Sequence, residues 1–428
     1  MSPGRPPALE RVAARFPLLR ELPIEVTAVS AVAFCVALGF GIVGPVLPAF
    51  AREFDVSASA AGLVVSVFAA MRLLAAPPAS WLLGRVGERK VLAWGLSSLA
   101  GLTFLAGLSQ TYWQLVLFRG ASGIGSVMFS VASLSMLLKV CEPDQRGRAA
   151  AAWSGGFLLG GLTGPALGGV FVAWSLRAPF FVYALTLTAG AIVAWRGLRN
   201  AQLRSDLADG GEAPLTLREA VRDYTYNTVV YTGFTNGFVR FGIINSLPAL
   251  YVIEVMEQPA SLVSLAFLLS SAGQAALISR TGRWTDAIGR KPMLWLGLAV
   301  ALVSQAIWLF EPNPTWLFAS MLLLGISGAF MSAAPSAVLG DLTKGKPRGP
   351  VLAASQMTSD LGGVLGPIAG GAVLDLTGSY QAAFGAGVAA LALGLVAVAF
   401  MRETKPTSAQ AAGTELRGTP DGFQPRGD

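Results

Sequence analysis

Residues 156–169 read Gly-Phe-Leu-Leu-Gly-Gly-Leu-Thr-Gly-Pro-Ala-Leu-Gly-Gly, a glycine and proline run inside an apolar segment. Gly156, Gly160, Gly164 and Gly168 recur every four residues and therefore share one helix face. A glycine stripe leaves no side chains between two backbones, so a neighbouring helix can come close. Pro165 lacks an N–H, removes one helical hydrogen bond and bends the axis. A second copy lies further on: Gly362-Gly363-Val364-Leu365-Gly366-Pro367-Ile368-Ala369-Gly370-Gly371, with Gly366-Pro367 placed 202 residues after Gly164-Pro165.

Working outward from this pair, the same offset recurs. Gly87 meets Gly289, Gly123 meets Gly325, Ser130 meets Ser332 and Arg146-Gly147 meets Arg348-Gly349, all at 202 residues. The first spans align less tightly, Leu47-Pro48-Ala49 against Leu247-Pro248-Ala249 at an offset of 200. The chain is thus a duplication.

Composition sets the class. Of the 428 residues, 54% are hydrophobic and 13% are charged, against roughly 25% charged in soluble domains. Apolar stretches long enough to cross a bilayer, about 20 residues each, separate short charged clusters. The expected fold is an all-α membrane protein with twelve transmembrane helices. The spans read 24–50, 59–83, 91–109, 112–138, 149–174, 178–196, 226–252, 260–280, 292–310, 314–340, 350–375 and 380–401. Residues 1–196 then form an N-terminal six-helix bundle and 226–401 a C-terminal one. A polar linker, 197–225, joins them, with a short amphipathic helix expected over Leu215 to Tyr224. The tail, 402–428, is expected to be disordered.

Charge and cysteine usage exclude several classes. The chain has no His, so a His relay and a His-ligated metal are ruled out. Cys35 and Cys141 form neither a metal cluster nor a disulfide pattern. No GxxxxGK[ST] phosphate loop is present, so ATP is not the energy source. The net charge of +7 is spread over many loops, which argues against nucleic acid. With the N-terminus in the cytoplasm, 26 of the 31 Lys and Arg residues fall in cytoplasmic tails and loops, a strong positive-inside bias. The expected location is the cell membrane, multi-pass, with both termini cytoplasmic.

Four motifs resemble the major facilitator superfamily. Gly282-Arg283-Trp284-Thr285-Asp286-Ala287-Ile288-Gly289-Arg290-Lys291 is similar to that family's GxxxDxxGRK loop. Arg119 with Gly123 and Gly125 resembles its Arg-x-x-x-Gly-x-Gly element, and Pro45 with Pro48 its ending of span 1. The run through Gly160, Gly164 and Pro165 resembles the helix-5 motif of its twelve-span drug:H⁺ antiporters, the exporter branch. In the first-half loop, Ser80 to Lys90 with Arg85 and Gly87, Gly84 stands where the family places Asp and Ser80 stands for the first Gly. The resemblance implies that this Asp meets a helix N-terminus of the opposite half and latches the outward-open state, a carboxylate against a positive dipole end. That latch is expected to survive only through Asp286. The resemblance also implies two six-helix halves rocking about a central site.

Ionisable residues at membrane depth mark a pathway or a paired structural site. Arg72 lies about 12 residues, or roughly 18 Å, from the cytoplasmic end of span 2 at 1.5 Å per residue. Asp360 lies about 10 residues, roughly 15 Å, into span 11 by the same rise. Asp360 is the candidate for proton coupling. A carboxyl whose Arg neighbour comes and goes takes up and gives off a proton as the conformation changes. Family architecture sets spans 2 and 11 side by side, so Arg72 is its expected partner; a fixed ion pair that locks the helices is the alternative. Arg119 and Arg240 lie on spans that line the family's cavity, and Asn236 and Asn245 flank Arg240. Together these arginines favour an anionic or zwitterionic substrate that a guanidinium can grip bidentately. Arg119 organising water and backbone within helix 4 is the other reading. Tyr231, Phe234, Phe238, Phe241 and Trp153 supply either an aromatic cavity wall or lipid and helix contacts. Gln274, Gln305 and Gln356 either bind substrate or tie helices.

The function expected is proton-coupled efflux of small amphipathic or anionic/zwitterionic organic compounds, as in multidrug resistance. Its expected partners are a small-molecule substrate, protons and the lipid bilayer, with no nucleic acid. The expected state is a monomer without cofactor. Uptake of an organic anion by the same fold is the alternative. Neither an intramembrane enzyme nor a channel finds support: the spans hold no nucleophile–base set, and duplicated halves with latch loops favour rocking over a fixed pore.

Overall fold

Each span is apolar on nearly all sides, so its backbone groups must be satisfied within the segment, and a helix does this without partners. The structure, a computed structural model, describes residues 22–142, 145–198, 217–342 and 349–405. The arginines of the first twenty residues, most of the linker and the last part of the tail lie outside the described residues, as does Arg348. Of the linker, a short helix over Leu217–Ala220 is described.

Among the described residues, ten helical stretches are long and apolar enough to cross a membrane. In chain order they are spans 1 to 6, over Ile24–Arg52, Ala58–Val86, Glu88–Gly107, Tyr112–Val140, Gly147–Val172 and Ala178–Gly197, and spans 8, 9, 10 and 12, over Ser261–Ile288, Arg290–Leu309, Pro314–Leu342 and Tyr380–Phe400. Two further helical stretches complete twelve. Span 7 runs through Tyr224–Asn236, a π turn over Gly237–Ile243, and Ile244–Glu254. Span 11 is Gly349–Thr377. Side-chain caps start several spans: Ser57 accepts from the Ala60 N–H, Thr111 from Gln114, Asp223 from Thr225 and Ser379 from Ala382. Gly87 and Gly289, 202 residues apart, both take positive φ (85° and 132°) and break the chain between spans 2 and 3 and between spans 8 and 9. Only glycine adopts such backbone without strain.

The glycine stripes seat helices on helices. A Cβ at Gly156, Gly160, Gly164 or Gly168 would strike the carbonyl oxygens of Ser30, Phe34, Leu38 and Ile42, four successive turns of span 1. In the second half Gly362 and Gly366 meet the carbonyls of Phe234 and Phe238 in span 7 in the same way. The partners Phe34 and Phe234, and Leu38 and Phe238, keep the offset of 200. Beyond them Gly41 and Gly242 lie against Gly164 and Gly366 respectively, an offset of 201. The π turn over Gly237–Ile243 supplies the extra residue, as an i→i+5 turn does.

The halves meet along two seams. Spans 2 and 11 pack together, and spans 5 and 8 pack together. Both seams are tightest toward the end opposite the Lys- and Arg-rich connections, here termed the far end as against the basic end. There Arg52 pairs with Glu254 at 2.7 Å, and Asp375 of span 11 receives the Ala58 and Ser59 N–H groups at 3.0 and 2.9 Å. Midway, the Ser66 hydroxyl donates to the Val364 carbonyl at 2.6 Å. On the other seam Ser271 donates to the Gly161 carbonyl at 3.1 Å. Gly161 is the residue whose helical donor Pro165 removes. The bend in span 5 is thus satisfied from the opposite half.

Candidate functional site

Midway along span 2, Arg72 donates to the Ser126 hydroxyl of span 4. It reaches there because Gly123 lets span 4 approach the Phe68 carbonyl closely. Asp360 in span 11 receives the Gln356 amide at 3.4 Å, one turn earlier on its own helix. Arg72 and Asp360 form no ion pair in this structure, although the Arg72 charge acts on the Asp360 carboxyl. Gln356, Met357 and Leu361 are exposed on the same stretch. The hydrogen bonds that join spans 2 and 11, at Asp375 and at Val364, both lie on the far-end side of Asp360.

Arg119 sits in span 4 with only 3% of its surface exposed. Its guanidinium lies over the Phe68 ring at 4.4 Å, and its Nε and Nη1 have no protein partner. Phe40 flanks Phe68 at 6.3 Å between ring centres. Tyr183, almost fully buried in a notch left by Gly39, lies within electrostatic reach of both Arg119 and Arg72. Two arginines and a tyrosine thus surround a region of the first half without a carboxylate contact.

Arg240 stands on the π turn of span 7 and is turned into its own half. It donates to the Leu324 carbonyl at 3.0 Å and to Gln274 Oε1 at 2.5 Å. Gly328 makes the room, since a Cβ there would overlap the guanidinium. Asn236 and Arg240 border a small cavity between spans 7, 9, 10 and 12, together with Ser327 and Met331. Asn245 points elsewhere, with its amide oxygen near Gly44 of span 1. Arg240 and Gln274 are brought together; Asn236 and Asn245 face different neighbours.

The aromatic residues divide. Tyr231 donates to the Ala390 carbonyl of span 12 at 3.2 Å, and Phe234 and Phe238 stack with ring centres 5.9 Å apart. Phe241 is exposed. Trp153 packs edge-on against Phe157 at 4.7 Å. Gln305 donates to the Phe384 carbonyl at 3.1 Å and ties span 9 to span 12.

At the basic end of the second half the loop motif is held in a polar cluster. Arg290 bonds Asp341 at 2.9 Å and Asp286 at 3.2 Å. Glu403, just past span 12, receives the N–H groups of Arg290 and Lys291 at 2.9 and 3.1 Å, capping the start of span 9. Lys405 donates to the Ala287 carbonyl at 2.6 Å. Burial pushes the Glu403 carboxyl up, but the backbone donors of Arg290, Lys405, Lys291 and Thr404 outweigh it and leave the group below its ordinary range. Gly282 has open space at its Cβ position. In the first half Glu88 takes the equivalent ground, bonded to Lys139 at 2.5 Å and Ser135 at 2.9 Å, while a Cβ at Gly84 would meet nothing within 4 Å. Arg85 lies over the Trp81 ring at 4.1 Å.

Ser126, Phe68, Tyr183, Gly328, Glu403 and Asp375 were not singled out from sequence. Each is an ordinary residue in a Ser-, Gly- or aromatic-rich helix or at a helix end, and only the packing gives it a partner.

Known proteins are similar to this chain in architecture and in sequence. The description of the Major Facilitator Superfamily matches residues 29–258 and 229–425. The multidrug resistance protein MdtG of Yersinia enterocolitica is 26% identical over 355 residues, covering 79% of this chain and 84% of that one. MdtG of Salmonella typhi is 26% identical over 353 residues, covering 79% and 86%. Among solved structures, a bacterial homolog of the human lysosomal transporter Spinster, inward-facing and unoccupied, has a TM-score of 0.71 at 18% identity, over 88% of this chain and 95% of that one. The nucleoside transporter NupG has a TM-score of 0.68 at 12% identity, over 88% and 99%.

Proposed function

The chain belongs to the major facilitator superfamily, and from that premise we propose that it is a proton-driven exporter of small amphipathic or anionic/zwitterionic organic compounds. It is a multi-pass membrane protein of a transporter family. In this reading the basic end lies in the cytoplasm of a cell-membrane protein, following the Lys/Arg bias. The far-end closure then corresponds to an inward-facing state. Substrate enters from the cytoplasm, the halves tilt about the two seams, and release occurs outside.

The observation that carries proton coupling is the unpaired arrangement of Asp360 and Arg72. They face one seam at membrane depth, each bonded to a neutral group, Gln356 and Ser126. With the basic end open, Asp360 gives up its proton to the cytoplasm as substrate enters. With the basic end closed and the far end open, it takes a proton from outside, so protons move inward as substrate moves out. The distance of Arg72 from the carboxyl sets how tightly the proton is held. In exchange terms, substrate and proton then compete for one conformational cycle. The MdtG relatives, named for multidrug resistance, support the reading that several compounds are handled.

A second reading, proton-coupled uptake of an organic anion, is favoured by Arg119. Its Nε and Nη1 are without protein partners while buried, a state that an incoming carboxylate or phosphate would relieve. Everted vesicles supplied externally with a labelled panel of lipophilic cations, zwitterions and acids separate the two. Export predicts substrate accumulation inside everted vesicles when their lumen is acid, abolished by a protonophore. Accumulation of acids in right-side-out vesicles instead would establish uptake.

A further inference from the structure

Asp375 is the third residue from the end of span 11 and faces the start of span 2 in the other half. Its two carboxylate oxygens receive the Ala58 N–H at 3.0 Å, the Ser59 N–H at 2.9 Å and the Ser59 hydroxyl. The backbone donors are among the first four N–H groups of a helix, which have no partner within it. A negative charge is favoured at that end. Gly371, one turn earlier on the same face, permits the approach: a Cβ there would lie 2.6 Å from the Ser59 Cα.

The chain's own repeat gives this contact its meaning. The counterpart of Asp375 at 202 residues is Ala173, so the far end of the span 5–span 8 seam has no such carboxylate. At the basic end the distribution reverses. Asp286 is the third residue from the end of span 8, and its counterpart Gly84 is the third from the end of span 2. Span 8 runs antiparallel to span 5, so Asp286 stands at the level where span 5 begins, as Asp375 stands where span 2 begins. In this structure the Asp286 side chain is 74% exposed and rests against Arg290 of its own half.

We propose that Asp375 is the latch that holds the far end shut, and that each seam carries one carboxylate at a helix end, the two at opposite ends of the molecule. The span 2–span 11 seam is fastened at its far end and has no acid at its basic end. The span 5–span 8 seam has its acid at the basic end and none at the far end. The two conformations are therefore held by different carboxylates on different seams, and Asp375 sets how readily the far end opens. Nothing in this assignment depends on the substrate or on proton coupling.

The test uses the full chain in nanodiscs with Cys35 and Cys141 replaced by Ser. Spin labels go on Gln110→Cys and Gln258→Cys, exposed positions in far-end loops of the two halves. Wild type is expected to give one short distance between the labels. Asp375→Asn is expected to raise the longer-distance, far-end-open population about tenfold, the size of effect that losing charge-assisted hydrogen bonds produces. Ser59→Ala, which removes the hydroxyl alone, is expected to shift the populations the same way by a smaller factor. It also serves if Asp375→Asn does not fold. A distance distribution identical to wild type in Asp375→Asn, or in Ser59→Ala where the first variant fails to fold, would overturn the proposal.

Discussion

Arg52 and Glu254, each the last residue of its helix and 202 residues apart, form an ion pair at 2.7 Å that joins the two halves. Glu254 also receives the Tyr380 hydroxyl at 2.6 Å, so the pair is anchored to span 12 as well. Each residue ends its own span, so the contact lies between corresponding ends of spans 1 and 7. Both side chains are about one-third exposed, and exposed pairs contribute about 0–1 kcal/mol. The pair is a minor fastener beside Asp375. Arg52→Glu, which sets two carboxylates face to face, should raise the far-end-open fraction severalfold, and the swap Arg52→Glu with Glu254→Arg should restore it. Spin-label distances between far-end loops check both.

The glycine stripe of span 5 has a strict geometry. Gly160→Val places side-chain atoms on the Phe34 carbonyl, and overpacking of this kind costs about 1–3 kcal/mol. Gly155, whose Cβ position is open, should accept Ala with unchanged or slightly raised stability. Melting temperatures of the purified variants in detergent measure the contrast.

Gly84 has room for a side chain at the basic end of span 2. Gly84→Asp should add a carboxylate where span 11 begins and favour closure of that end by about two- to fivefold, the usual size of a charge–dipole contact. Labelling of a Gln356→Cys variant by an impermeant maleimide in everted vesicles should slow by that factor.

Glu403 supplies a pH dependence whose sign is fixed. Its folded-state pKa lies below the ordinary value because backbone donors at the start of span 9 hold the charged form against the opposing pull of burial. The group therefore contributes stability above its unfolded value of about 4.3, and that contribution is lost as pH falls through the folded value. Glu403→Gln should lower the melting temperature at pH 7, and its difference from wild type should shrink toward zero below about pH 4. A difference that persists at low pH would assign Glu403 a packing role instead.

The duplication and the glycine stripes were legible from sequence because a four-residue glycine period has one geometric outcome on a helix. Ten of the twelve helices meet a length and hydropathy test among the described residues; span 7, broken by a π turn, and span 11, rich in Gly and polar residues, do not. The π turn in span 7 was not legible. The sequence carries no sign of it, since the offset is 200 both before the turn, at Phe34 and Phe234, and after it, at Leu47 and Leu247. The structure locates a step between Phe238 and Gly242. Arg240 shows the limit at the site. Its depth was readable, but not its direction, which depends on a missing side chain at Gly328 some 88 positions away. Arg72 and Asp360 lie on facing helices, yet depth alone did not distinguish a standing ion pair from two groups that part. Asp375 carries no signal in sequence, because a carboxylate near a helix end is ordinary until another half's N-terminus is opposite it.

Gradient-driven efflux and passive exchange in proteoliposomes test the coupling most directly, compared between wild type and Asp360→Asn. If Asp360 carries the proton, the variant should exchange labelled for unlabelled substrate at near wild-type rates. It should also lose concentrative transport under an imposed proton gradient, and its exchange should become independent of pH. Concentrative, protonophore-sensitive transport by Asp360→Asn with the wild-type pH profile would contradict the account.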